Sequence, residues 1–153
     1  MEIEIQERPA QRLATVRHVG PYHRVGEAFA ILGRRAAEAG LGGPGSEMLA
    51  LYHDDPKRVP ANACRADAAL TLAANAPLPE GVVEQHLPAG RYACFTLRGS
   101  YAQLNDAWER FFGTWLPASG ERRAHGPHFE IYRSTPSEVP ETELLTELYI
   151  PLA

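Results

Sequence analysis

Residues 12–29, RLATVRHVGPYHRVGEAF, and residues 91–108, RYACFTLRGSYAQLNDAW, are two versions of one segment. Spaced 79 positions apart, Arg12, Ala14, Gly20, Tyr22 and Ala28 coincide with Arg91, Ala93, Gly99, Tyr101 and Ala107. Related side chains fill the places between: Val25 against Leu104, Glu27 against Asp106, Phe29 against Trp108. Farther along, at a spacing of 80, Tyr52, Pro56, Val59, Pro60 and Leu72 coincide with Tyr132, Pro136, Val139, Pro140 and Leu152. Two matches in the same order at nearly the same spacing mark an internal duplication, with a unit of about 75–80 residues. The chain therefore reads as a single domain over 1–153 with internal repeats 1–73 and 82–153. Residues 74–81, which carry Pro77 and Pro79, read as the linker between them.

Each copy spells out the same elements. An alternating stretch opens it, with Ile3 and Ile5 among Glu2, Glu4 and Gln6 in one copy and residues 82–87 in the other. A second strand follows at 13–19 and 92–98, and Gly20-Pro21 or Gly99-Ser100 ends it and opens a helix. Ser100 followed by Gln103 has the pattern of a capping box, in which hydroxyl and amide satisfy two orphan helix N–H groups. Leu104, Trp108, Phe111, Phe112 and Trp115 then recur at helical spacing, as Val25, Phe29, Leu32 and Ala36 do in the first copy, where Gly40 supplies the stop. Two more strands close each copy, 48–53 with 66–73 and 128–133 with 145–152. The proline-bearing segments between them, 54–60 and 134–140, cannot be central strands. The expected fold class is α+β, built from duplicated strand–strand–helix–strand–strand units.

Composition narrows the function. Of 153 residues 44% are apolar and 22% charged, ordinary for a packed globular chain. A net charge of −4 gives no basic face for nucleic acid, and no apolar run is long enough to span a bilayer. A soluble, cytoplasmic protein with no membrane or direct nucleic-acid partner is expected. Its acidic, alternating start is neither a secretory signal nor a transit peptide. Cys64 and Cys94 lack metal-ligand spacing and read as small core residues. Among six histidines only His125 and His128 are close, and Pro127 spoils the helical spacing zinc enzymes use. No P-loop, dinucleotide fingerprint or serine elbow occurs, so no cofactor is expected.

Strand residues alternate between faces, and a helix layer on one side should sort them. Apolar Phe129 and Ile131 are expected under the helix, which sends His128, Glu130 and Tyr132 to the opposite face. In the last strand Leu148, Ile150 and Leu152 take the helix side and leave Glu147, Tyr149 and Pro151 opposite. In the first copy Leu49 and Leu51 go under, while Met48, Ala50 and Tyr52 go opposite. A groove where those second faces meet would be lined by Tyr52, Tyr132, Tyr149, Glu130 and Glu147. Aromatic walls around carboxylates suit flat, cationic, lipophilic molecules. The plainer alternative is a solvated sheet face, on which Tyr–Glu neighbours are common. The Trp108–Phe112 stripe likewise reads first as core.

Three segments resemble the GyrI-like family, the SbmC-type DNA gyrase inhibitor proteins. They are Val19-Gly20-Pro21-Tyr22 opening a helix, the run 49–56 (LALYHDDP), and Phe129-Glu130-Ile131-Tyr132 followed by 147–152 (ELYIPL). The chain is also similar to the effector-binding domains of AraC- and MerR-type regulators. The resemblance implies a duplicated βαββ (SHS2-like) fold, with a pseudo-two-fold antiparallel sheet, two helices and a central ligand groove. It implies a groove for hydrophobic, often cationic compounds with a buried glutamate at its floor. The position matching that glutamate is Glu130, and Glu147 matches a second acidic position. Both helices belong to the repeat, so no recognition helix for DNA remains.

Three functions compete on these grounds. The leading one is a stand-alone small-molecule-binding protein giving toxin or antibiotic protection, with Glu130 as charge anchor and Tyr132, Tyr149, Tyr22 and Trp108 as walls. The second is a hydrolase of cyclopropane-containing genotoxins, in which a desolvated Glu130 is the catalytic acid or base. The third is a protein that interacts with DNA gyrase, for which −4 is a weak charge if nucleic-acid mimicry is the means.

Overall fold

The computed structural model describes all 153 residues, and its elements follow the duplicated order. Strands β1 (Ile3–Arg8) and β2 (Gln11–Val19) precede helix α1 (Gly26–Glu38), which strands β3 (Met48–Tyr52) and β4 (Arg65–Leu72) follow. The second series is β5 (Val83–Leu87), β6 (Gly90–Arg98), helix α2 (Leu104–Arg110), a final helical turn α3 (Leu116–Ser119), β7 (His128–Tyr132) and β8 (Leu145–Pro151). The fold is mixed α+β, and the strand pairings within each of the chain's two units are antiparallel.

Internal contacts divide the chain into two units, Met1–Arg8 with Gly90–Ala153, and Pro9–Ala89. In the first unit the strand order is β1-β6-β8-β7, and in the second β3-β4-β2-β5. The opening strands are therefore exchanged: β1 runs beside β6, pairing Ile5 with Ala93, and β5 runs beside β2, pairing Gln85 with Leu13.

In the Pro9–Ala89 unit, α1 lays Ala28, Leu32 and Ala36 on Ala14 and Val16 of β2 and Ala68 and Leu70 of β4. In the other unit Ala107 and Phe111 pack on Ala93 of β6 and on Leu148 and Ile150 of β8, with Trp108, Phe112 and Trp115 partly buried around them. Phe111–Trp115 is a π turn linking α2 to α3. Pro117, in the first turn of α3, cannot bond back to the Gly113 carbonyl, and its ring crowds that carbonyl. A wider turn just before it relieves the clash while keeping the aromatic stripe on the sheet.

The strand-to-helix junctions match in the two copies. Gly20 and Gly99 have φ of 143° and 142°, where a side chain is disfavoured. Their N–H groups donate to Cys64 O at 2.8 Å and Leu144 O at 2.9 Å, again equivalent places in the repeat. Ser100 Oγ accepts from the Ala102 N–H at 3.0 Å, so the serine caps the helix turn through the second residue after it rather than the third, which the expected capping box requires.

Candidate functional site

Glu130 lies in the middle of β7 and is only 2% exposed. The Trp108 Nε1–H donates to its Oε2 at 2.6 Å, and the Tyr132 hydroxyl donates to its Oε1 at 2.7 Å. Around this nucleus the Tyr101 ring meets Tyr132 edge-on at 5.7 Å, and the His128 ring meets Trp108 at 4.7 Å and Phe112 at 5.0 Å. Arg123 lies over the Phe112 ring at 5.1 Å. Burial, and then the nearby Glu130 carboxylate, push the Tyr101 hydroxyl above its usual range.

The bond to Trp108, a residue of α2, fixes the face on which Glu130 sits. Glu130 pairs across the sheet with Leu148, which packs beneath the helix, so Glu130 and Tyr132 are on the helix side. Phe129 pairs with Tyr149 and Ile131 with Glu147, so these four share the other face. The expected facing of β7 is thus reversed. The same holds in β3, where Ala50 pairs with Ala68 and Tyr52 with Ala66 on the helix side, and Leu49 and Leu51 take the opposite face. The physical reason is that these strands are covered on both sides. Phe129, Ile131, Leu49 and Leu51 are all at most 1% exposed, so apolar character does not identify the helix face. The facing expected for β8 holds, with Leu148, Ile150 and Leu152 in the helix-side core.

Glu130 and Glu147 therefore lie on opposite faces of one sheet. Glu147 accepts from Arg133 Nε at 2.9 Å and from the Tyr149 hydroxyl at 2.8 Å. The Tyr149 oxygen in turn accepts from Arg8 Nη1 at 3.0 Å, and its ring stacks on Phe129 at 4.9 Å. Burial, with Cys94 and Glu147 beside it, raises the Tyr149 hydroxyl far above the usual tyrosine range. Tyr22 and Tyr52 form a pair of their own in the other unit, with ring centres 4.8 Å apart. The Tyr22 hydroxyl donates to the Asp54 carbonyl at 2.8 Å, and burial pushes its pKa up to about 12.

A third polar centre, Asp67, escapes any pattern in the sequence. It is fully buried, and accepts from Arg17 Nε at 2.7 Å, Gln85 Nε2 at 3.0 Å and, with Nε2 as donor, His53 at 2.5 Å. Burial alone would raise its pKa. The hydrogen bonds from His53, Arg17 and Gln85 outweigh that and lower it to about 2.

Of the residues singled out in the sequence, the structure joins Glu130, Tyr132 and Trp108 directly. It adds Tyr101, Phe112 and His128. Tyr101 could have been found, since it is the repeat partner of Tyr22; His128 was placed on the Glu130 face of β7 by alternation but given no role. No group of three or more His, Cys, Asp or Glu side chains converges to hold a metal ion. A depression of about 230 Å³ bordered by Ala10, Gln11, Arg12, Thr71, Leu72 and Ala74 contains none of these residues. No helix is long and apolar enough to cross a membrane.

The GyrI-like small molecule binding domain matches residues 1–153. A DNA gyrase inhibitor of Erwinia billingiae is 32% identical, the alignment covering 100% of this chain and 98% of the relative. The crystal structure of the EcmrR C-terminal domain superposes with a TM-score of 0.81 at 18% identity, covering 99% of this chain and 97% of that one. A protein solved bound to tetraphenylphosphonium superposes with a TM-score of 0.68 at 16% identity, covering 100% of this chain and 94% of that one.

Proposed function

We propose, from the premise that this chain belongs to the GyrI-like family of small-molecule-binding domains, that it binds lipophilic aromatic cations at Glu130. The observation that carries the reading is a carboxylate 2% exposed whose two oxygens are held by aromatic donors, Trp108 and Tyr132. A buried carboxylate attracts a cation far more strongly than a solvated one, because little water screens the pair. The rings of Trp108, Tyr101, Tyr132 and Phe112 offer stacking and cation–π contacts to the rest of the molecule. Trp108 and Tyr132 hold the carboxylate through neutral donors. A solved structural neighbour is itself bound to tetraphenylphosphonium, a ligand of this kind. In a cell such a protein would sequester a toxic compound or hold it as an effector.

The test is a titration of the intrinsic fluorescence of Trp108 and Trp115 with aromatic cations and their neutral isosteres. Saturable micromolar binding of the cations, with the isosteres at least tenfold weaker, is the expected result; equal binding of both overturns the reading. A second reading comes from the Erwinia billingiae relative, which is named a DNA gyrase inhibitor. It predicts that added protein slows supercoiling by gyrase, and an unchanged rate at saturating protein removes it.

A further inference from the structure

Four polar or charged side chains are buried: Thr15, Asp67, Glu130 and Thr146. Thr15 is bonded to Gln85 and to the Val83 carbonyl, and Asp67 and Glu130 have the partners described above. Thr146 is 0% exposed, and its hydroxyl oxygen has no hydrogen-bond partner. A buried hydroxyl left unpaired is costly and is ordinarily satisfied by protein, water or ligand.

The position of Thr146 ties this orphan to the Glu130 centre. It stands directly opposite Tyr132 across β7 and β8, on the helix face, one pair along from Glu130 and Leu148. Its other neighbour in the sheet is Leu97 of β6. The first copy shows that packing alone does not ask for a hydroxyl there. Its equivalent is Ala66, which stands opposite Tyr52 in the same way and is equally buried. The same copy has Ala50 where Glu130 stands and Phe29 where Trp108 stands. Indole, carboxylate and hydroxyl are thus present together in one copy and absent together from the other.

We infer that Thr146 is a specificity-determining residue of the Glu130 site, whose hydroxyl accepts a hydrogen bond from an N–H of the bound cation. The ligand class is then a protonated aryl-alkyl amine in preference to a permanently quaternary onium ion. Both satisfy the charge on Glu130, but only the former carries an N–H for Thr146. The inference rests on the cation-binding reading of Glu130 and narrows it.

The test is calorimetric titration with 2-naphthylmethylamine, an ammonium at neutral pH, and with its N,N,N-trimethyl analogue. The wild-type protein binds the primary ammonium more tightly. Thr146→Val, nearly isosteric, loses about five- to tenfold for the primary ammonium and nothing for the trimethyl compound. Thr146→Ser, which keeps the hydroxyl, retains the preference. Denaturation of each variant in urea confirms that it is folded. A Thr146→Val protein that keeps the full preference, or weakens both ligands equally, overturns the inference and leaves the Glu130 reading standing. If Glu130→Gln weakens neither ligand, the Glu130 reading itself falls.

Discussion

The Trp108 indole supplies a hydrogen bond to a carboxylate that water scarcely reaches, so replacing it should be felt as lost stability. Trp108→Phe keeps an aromatic ring on the stripe and removes only the N–H and part of the bulk. Urea unfolding should show it about 1–3 kcal/mol less stable than wild type, the cost of leaving a buried charged acceptor short of a donor. Asp67 gives a pH-dependent counterpart. Its pKa falls from 3.8 to about 2 on folding, so it contributes about 2 kcal/mol of stability that is fully present above pH 4 and is lost as pH falls through 2. Asp54, held by Arg65 and also lowered to about 2, adds to the loss in the same window. The stability gap between wild type and Asp67→Asn should therefore be widest at neutral pH and shrink between pH 4 and 2. A gap that is flat across this range would show that Asp67 is not held ionised as described. Glu130 and Tyr132 were singled out by alternation along β7 and by the resemblance of Phe129-Glu130-Ile131-Tyr132 to a family motif, although the facing was reversed, while Trp108 read first as core. Asp67 was not, since its partners Arg17, His53 and Gln85 come from three other segments.

Elements were more legible than faces. The duplicated pattern placed all eight strands, because Gly20 and Gly99 end two of them at matching points and the proline-bearing segments exclude others. The facing of β3 and β7 was not legible. Alternation identifies a core face only where the other face is wet, and Phe129 and Leu49 are fully buried on the side away from the helix. The π turn at Phe111–Trp115 was likewise hidden, since a stripe at i, i+4, i+7 and i+8 looks the same before the turn widens. The glycine junctions carry a direct prediction. Gly99→Ala must force alanine to φ of 142° and point its Cβ at the Gln103 side chain, which can move aside, so the backbone term remains. Thermal unfolding should show a loss of about 1–3 kcal/mol. No loss would mean that the junction relaxes without strain.

For the whole molecule, the exchange of opening strands has consequences that the repeat boundaries alone would hide. A fragment ending at residue 80 contains β1 without its partner β6, and β2 without its partner β5. Such a fragment should stay largely unfolded by circular dichroism, although it holds one complete copy of the repeat. A cooperatively folded fragment would contradict the exchanged pairing. At this scale the duplication also separates two chemistries, a polar centre at Glu130 and an apolar counterpart at Ala50, from one ancestral pattern. If the charge of Glu130 anchors a lipophilic cation, titration of wild type and Glu130→Gln with tetraphenylphosphonium will reveal that anchoring. Saturable binding to wild type is expected, with a loss of about 1–3 kcal/mol in the variant, tenfold or more in Kd for most of that range. The same dissociation constant in both proteins would contradict it.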